Sequence, residues 1–185
     1  MEEKKYAVLI DGDNISSKYL DSILNEMTKY GIATYKRIYC DFTSQQSSKW
    51  RRLVRDSGIQ AMQQFANTVG KNATDSTLII DAMDILYTGN VDGFCIVSSD
   101  GDFTRLAIRL KESGMDVIGM GESKTPRSFR AACTVFTDLE ILYEAESEDD
   151  EISTKGKKPA VKHNVVKVSE IENVIIEIIN ENNNK

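Results

Sequence analysis

Several features that mark common protein classes are scarce or absent in this chain of 185 residues. No apolar run approaches the roughly 20 residues of a membrane span, and the first residues form no apolar signal region, so we expect a cytoplasmic protein. The three cysteines lack CxxC spacing and lie in apolar stretches, which indicates buried thiols rather than zinc ligands or disulfides. The single histidine, His163, cannot supply the histidine pair that some hydrolases use, and we assign it no catalytic role.

An excess of positive charge is also absent. The net charge is −6, which argues against a general basic coat for nucleic acid. Most of the negative excess lies in an acidic run at 144–151, whereas residues 1–143 hold 17 Lys and Arg against 19 Asp and Glu, a net charge of −2. Net charge therefore neither supports nor excludes a nucleic acid partner.

The most informative feature is a pair of apolar runs that each lead to an Asp-Gly-Asp sequence. Residues 7–10 lead to Asp11 and Asp13, and residues 94–97 lead, after two serines, to Asp100 and Asp102. Such runs are typical of strands buried on both faces of a parallel sheet, and open α/β sheets bind ligands beyond the carboxyl ends of their strands. If the two strands are neighbours, four carboxylates converge there. A hard divalent cation such as Mg²⁺ or Mn²⁺ would neutralise their repulsion.

The remaining pattern alternates strands with helices. It predicts an α/β three-layer sandwich with a mainly parallel sheet and right-handed crossovers. Strands are predicted at 6–10, 33–41, 59–65, 93–98, 116–120 and 134–136. Helices are predicted after Asn14, around Trp50, and at 74–87, 103–113 and 126–132.

Composition changes beyond this alternating region and predicts three segments. Residues 1–143 form the α/β domain, residues 144–166 form a charged flexible linker, and residues 167–185 hold an amphipathic helix. One isolated amphipathic helix cannot bury its apolar face. We therefore expect it to pack on a partner or to begin a second module.

The predicted helix at 74–87 carries two more acids that bear on the site. Asp75 lies in its first turn, where it could face the same sheet edge as the four strand-end aspartates. A carboxylate at a helix N-terminus is equally explained by the helix dipole, so this alternative stays open. Asp81 lies nearly two turns further on, among apolar neighbours.

Three segments together resemble the NYN domain family, a PIN-like group of metal-dependent ribonucleases that includes the bacterial LabA-like proteins. They are Ile-Asp-Gly-Asp-Asn at 10–14, Lys-x-x-x-Asp with a later Asp at 71–81, and Ser-Ser-Asp-Gly-Asp-Phe at 98–103. The resemblance covers roughly residues 5–143. It implies a Rossmann-like fold and hydrolysis of RNA phosphodiester bonds with Mg²⁺ or Mn²⁺.

The resemblance also implies a set of site residues. Asp11, Asp75, Asp100 and Asp102 match the family's metal-binding acids, and Asn14 completes the catalytic set. Asp13 and Asp81 rank lower.

We further expect substrate phosphates to be bound by Lys71, Ser98, Lys124 and Arg127. The stretch Lys-Trp-Arg-Arg at 49–52 could add a basic and stacking patch, although Trp50 could equally pack in the core. The expected partner is RNA, single-stranded. PIN-like domains often pair, which is compatible with a homodimer. An OST-HTH (LOTUS) module often follows such domains, and residues 171–179 could be its first helix.

Two other functions remain open. A phosphatase of the haloacid dehalogenase type also places Asp-x-Asp after an apolar strand, with Asp11 then as nucleophile, but it wants Thr or Val where this chain has Ile15. A non-catalytic RNA-binding or regulatory protein could keep the same fold. Clustered carboxylates argue against it, because a pure binding module gains nothing from groups that repel phosphate.

Overall fold

The computed structural model describes residues 3–45, 47–64 and 73–154, which contain six strands and six α-helices. The strands are β1 Lys5–Asp11, β2 Ile32–Cys40, β3 Gln60–Gln63, β4 Gly93–Val97, β5 Asp116–Gly121 and β6 Val135–Asp138. The helices are α1 Leu20–Met27, α2 Ser48–Ser57, α3 Ala73–Thr88, α4 Thr104–Glu112, α5 Arg127–Ala132 and α6 Leu139–Thr154. Short 3₁₀ turns at Ser17–Tyr19 and Gly101–Phe103 precede α1 and α4.

All six strands form one parallel sheet in the order β3-β2-β1-β4-β5-β6. The predicted α/β class with a mainly parallel sheet is confirmed. The chain builds outward from β1 on one side and from β4 on the other, so the strand order reverses between these two neighbours. Such a reversal opens a crevice at the carboxyl ends of the strands. Asp11 ends β1 at this crevice, and Asp100 follows β4 by three residues.

Two apolar clusters cover the two faces of the sheet and make the structure three-layered. One cluster joins β1 and β4 to α3, α4 and α5, for example through Leu78, Leu110 and Phe129. The other joins the opposite faces of these strands to α1, α2 and α6, for example through Ile23 and Trp50. Burial on both faces explains why β1 and β4 read as continuous apolar runs.

Helix α6 differs from the predicted segment boundaries. It continues to Thr154 and so includes residues 144–154, which we assigned to the flexible linker. Leu139 and Leu142 pack on the sheet, and Glu146 accepts hydrogen bonds from Ser22 and Asn25 on α1, which extends the packed part of the helix past residue 143. The rest of the linker, the C-terminal amphipathic helix and its OST-HTH assignment lie outside the described residues.

In the described part of the chain, no helix is both long enough and apolar enough to cross a membrane.

Candidate active site

Asp11 lies at the centre of the crevice and is fully buried. Its Oδ2 accepts hydrogen bonds from Ser98 Oγ at 2.7 Å and from Asn14 Nδ2 at 2.8 Å, and its Oδ1 accepts one from the Asn14 backbone N–H at 3.3 Å. Burial raises the pKa of the Asp11 carboxyl, while the bonds from Asn14 and Ser98 oppose that rise. Asp11 does not belong to the group of carboxylates that converge at this edge of the sheet, so its predicted role as a metal ligand stays a prediction.

The segment after β4 is held by side-chain bonds that fix the next two acids. Ser98, also fully buried, donates to Asp11 and accepts the backbone N–H of Asp100 at 3.0 Å. Asp100 caps the 3₁₀ turn Gly101–Phe103, because its carboxylate accepts the backbone N–H of Asp102 at 2.9 Å. One serine therefore links the acids at the ends of the two central strands, and a cap sets the spacing of Asp100 and Asp102.

Helix α3 brings a fourth acid to this edge of the sheet. Asp75 lies in its first turn, and carboxylate oxygens of Asp75, Asp100 and Asp102 lie within 4.8 Å of one another. Burial, and then the negative charges of Asp11, Asp100 and Asp102, raise the pKa of Asp75 to about 6. The folded chain thus holds several carboxylates closer together than their charges favour.

This donor set fits a hard divalent cation. The converging ligands are all carboxylate oxygens, which suit Mg²⁺ or Mn²⁺ and not the softer metals that select thiolates. The three free cysteines, Cys40, Cys95 and Cys133, are buried, as expected from the sequence.

The two lower-ranked acids are placed differently. Asp13 is exposed, and its Oδ2 accepts a hydrogen bond from Thr74 Oγ1 at 2.8 Å, which ties the loop after β1 to the start of α3. Asp81 instead forms a part-buried ion pair with Arg37 and accepts a hydrogen bond from the Tyr39 hydroxyl. Asp13 therefore borders the acidic site, whereas Asp81 is engaged with β2.

Two predicted phosphate-binding residues lie after β5. Arg127 is exposed at the start of α5, and the preceding Pro126 packs close to Gly101, where an added Cβ would lie 3.3 Å from the Pro126 Cγ. Arg127 therefore begins a helix that contacts the turn carrying Asp102. Lys124 is exposed but forms an ion pair with Glu122 at 2.8 Å, which raises its pKa and reduces its availability to a phosphate.

Lys71 and Ser98 complete the predicted phosphate-binding residues, and Arg130 is a further cation on α5. Lys71 lies outside the described residues, so its role stays a prediction. Ser98 is too deeply buried to contact RNA, and its hydroxyl orients carboxylates instead. The Arg130 guanidinium donates to three backbone carbonyls of residues 122–125, each at 3.1 Å, and therefore stabilises that loop.

Trp50 is not available for stacking. Its side chain is 3% exposed, and its indole N–H donates to the Gly12 carbonyl at 3.0 Å. The structure therefore supports the core-packing alternative, and the stacking half of the predicted patch at 49–52 is wrong. The bond couples α2 to the loop that follows Asp11.

Sequence reasoning also missed hydroxyl groups beside this loop. Ser16 and Ser17 follow the loop, Ser48 begins α2, and all three line one surface cavity. The signal was the combination of serines with the basic stretch at 49–52, but their proximity depends on how α2 packs.

Comparison with known proteins agrees with this architecture. The family model of the NYN domain matches residues 5–140. The chain belongs to the NYN domain family. This is a PIN-like, nuclease-type family whose members typically use divalent metals and act on RNA. The match does not favour a haloacid dehalogenase-type phosphatase, and the full burial of Asp11 also disfavours it as a nucleophile.

Two similar proteins are themselves described as uncharacterized or of unknown function. An uncharacterized protein of Methanocaldococcus jannaschii is 26% identical over 174 residues, which are 91% of this chain and 66% of that protein. The chain thus spans just under two thirds of the length of this curated relative. The crystal structure of a protein of unknown function from Vibrio parahaemolyticus superposes with a TM-score of 0.62 at 19% identity, over 75% of this chain and 96% of that one. The second likeness supports the fold alone.

Proposed function

We propose that this NYN-family protein is a metal-dependent ribonuclease that hydrolyses RNA phosphodiester bonds at the acidic crevice. The observation that carries the proposal is the convergence of carboxylate oxygens from Asp75, Asp100 and Asp102 beside the buried Asp11. These acids come from separate parts of the chain and meet where the strand order reverses, which is the usual ligand position in such sheets. A surface with no bound cation would gain nothing from this crowding.

The proposed cofactor is Mg²⁺ or Mn²⁺, held by Asp75, Asp100 and Asp102, with the charge of the buried Asp11 acting on this group. When bound, the ion supplies Lewis-acid chemistry that activates water and stabilises charge on phosphate oxygens. The chain's own residues fix the geometry: Asn14 and Ser98 orient Asp11, and the Asp100 cap places Asp102. Such preorganisation is the protein's main contribution to metal-assisted hydrolysis.

The proposed substrate is single-stranded RNA. Arg127 is the described cation best placed to meet a phosphate, because α5 begins against the turn that carries Asp102. Lys71, four residues before Asp75, remains a predicted phosphate ligand. For Lys71→Ala we expect weaker RNA binding with metal binding preserved, and an unchanged affinity for RNA would remove Lys71 from the site.

The direct test is cleavage of a labelled single-stranded RNA with Mn²⁺ or Mg²⁺, with EDTA as the metal-free control. Asp100→Asn should lower the rate about 100-fold or more, because it replaces a metal-binding carboxylate while its amide oxygen can still cap the turn. The matched control is Asp84→Asn, an exposed carboxylate on α3 outside the site, which should cleave normally.

Normal cleavage by Asp100→Asn would refute the assignment of the active site. Metal binding and RNA binding without cleavage by the wild-type chain would favour the non-catalytic regulatory alternative. Calorimetry with Mn²⁺ on the wild-type and Asp100→Asn proteins separates these outcomes. If Asp100 is a metal ligand, only the variant should bind Mn²⁺ more weakly.

A further inference from the structure

A groove lies between the loop that follows Asp11 and helix α2. It consists of two cavities of about 390 Å³ and about 660 Å³ that share the lining residues Ser16, Ser17 and Lys49. The smaller cavity begins at residues 12–14, directly after Asp11, and the larger one extends to Arg52. The groove is therefore continuous with the loop that borders the proposed metal site.

Three cations line the groove: Lys18, whose ammonium lies 4.6 Å from the centre of the Tyr19 ring, and Lys49 and Arg52 on α2. Helix α2 carries four cations: Arg51 donates to the Phe42 carbonyl at 2.9 Å, and Arg55 lies 3.7 Å from the carboxylate of its neighbour in sequence. Within the described ranges, the exposed Lys49 and Arg52 form neither an ion pair nor a hydrogen bond. They are three residues apart, so they lie on one face of the helix, and both line the groove.

The other lining groups also suit an anion with many acceptor oxygens. Ser16, Ser17 and Ser48 present hydroxyl donors between the cations and the loop. The first turn of α2 adds the positive end of its helix dipole. Trp50 also lines the smaller cavity, but its only polar atom is bonded to the Gly12 carbonyl. The groove therefore offers contacts for phosphates but no exposed aromatic platform for bases among its described lining residues.

Two carboxylates line the groove, and each lies toward one end. Asp13 lies at the acidic crevice, where Thr74 already donates to it. Asp21 lines the larger cavity and also a separate depression between α1 and α6, which places it at the far rim. Lys49 and Arg52 thus lie along the intervening path.

We propose that this groove binds the phosphate backbone of a single RNA strand and guides it to the acidic crevice. This inference rests on the proposed nuclease function, because a backbone path that leads to the loop beside a carboxylate cluster makes sense when the cluster acts on phosphodiesters. Contacts to phosphates carry no sequence information, so the groove should bind strands of different sequence alike.

The test measures RNA binding by the full chain carrying Asp100→Asn, so that the strand stays intact. Fluorescence anisotropy would compare this protein with one that also carries Lys49→Ala and Arg52→Ala, on short uridine-rich and adenosine-rich oligonucleotides with Mg²⁺. A matched protein carrying Arg55→Ala and Lys111→Ala makes the same change in net charge with two exposed cations outside the groove.

The groove variant should bind both oligonucleotides about tenfold more weakly or worse, since charged hydrogen bonds to phosphate are lost. Its plot of log affinity against log salt should also be shallower by about 1.4, at about 0.7 per lost phosphate contact. The matched protein should change little. Equal losses in both proteins, no loss in the groove variant, or a loss on one sequence only would overturn the inference, as would absence of RNA binding before the groove is altered.

Cleavage assays on proteins that retain Asp100 separate this inference from the proposed function. If the wild-type chain cleaves RNA and the groove variant binds and cleaves equally well, the groove inference fails and the nuclease assignment stands. If the wild-type chain never cleaves but the groove variant loses RNA binding, the nuclease assignment fails and the groove remains an RNA-binding surface.

Discussion

Replacement of Asp75 by asparagine should stabilise the metal-free protein. The carboxylate of Asp75 lies against two other aspartates, and its pKa is raised to about 6 by burial and by the neighbouring negative charges. A raised carboxyl pKa means that the folded state binds the proton more tightly than the unfolded state does. Ionisation of Asp75 therefore costs folding free energy, and asparagine avoids this cost.

The size of the effect follows from the shift. A rise from 3.8 to about 6 corresponds to about 3 kcal/mol at 1.36 kcal/mol per pKa unit. Asp75 is only partly buried, so solvent screening reduces the expected gain to about 1–2 kcal/mol. For a chain of this length the unfolding midpoint should rise by roughly 2–8 °C.

The pH dependence has a definite sign. Below about pH 4 both the folded and the unfolded state hold the proton on Asp75, so the folding free-energy penalty vanishes. The penalty grows as the pH rises towards 6 and is complete above that value. The advantage of Asp75→Asn should therefore be full near pH 7.5 and about half as large near pH 5. Denaturant unfolding in EDTA at these two pH values measures it, with Asp84→Asn on the exposed side of α3 as the control.

Addition of Mn²⁺ should reverse the order of stability. A ligand at 100 times its dissociation constant stabilises the folded state by about 2.7 kcal/mol, and the wild-type site should bind the ion more tightly than the variant does. The helix-dipole explanation of Asp75 predicts the opposite sign without metal, since loss of a favourable carboxylate at a helix N-terminus costs about 0.3–1 kcal/mol. A destabilised Asp75→Asn protein in EDTA would therefore refute the crowding argument.

Two further substitutions test the supporting contacts. Asp81→Asn should lower the free energy of unfolding by about 1–3 kcal/mol, because it breaks the part-buried pair with Arg37, and it should leave Mn²⁺ affinity unchanged; weakened metal binding in calorimetry would return Asp81 to the site. Ser98→Ala removes the hydroxyl that joins Asp11 to the Asp100 backbone. We expect the free energy of unfolding to fall by about 1–2 kcal/mol and cleavage to slow at least about tenfold. An unchanged cleavage rate would show that this link does not position the acids.

The sequence predicts the fold well because its signals are local. The run at 94–97 reads as a buried strand since both of its faces are covered, and glycine and asparagine at 89–90 end α3 as expected. The adjacency of β1 and β4 is different, because 81 residues lie between Asp11 at the end of β1 and Gly93 at the start of β4, and these include two other strands. From the sequence alone, Asp11 and Asp100 are predicted to converge only if β1 and β4 are neighbours.

Helix geometry also limits the acidic set more than composition does. Asp75 and Asp81 are six residues apart, which on an α-helix means about 9 Å along the axis and about 120° around it. The two carboxylates therefore could not both face one metal. The partner of Asp81 was invisible in the sequence, because Arg37 reaches it from β2 only through the packing of α3 on the sheet.

The net charge of the chain says little about RNA binding, because salt screens charges that lie far from the binding surface. At physiological salt, charges interact over about 8 Å, so the summed charge of the whole chain does not set the field at one groove. What matters is which cations remain unpaired near the acids, and in the described ranges Lys49 and Arg52 meet that condition while Arg51 and Arg130 do not. A negatively charged chain can therefore still present a path for a polyanion, provided that some of its cations keep no protein partner and lie beside the site.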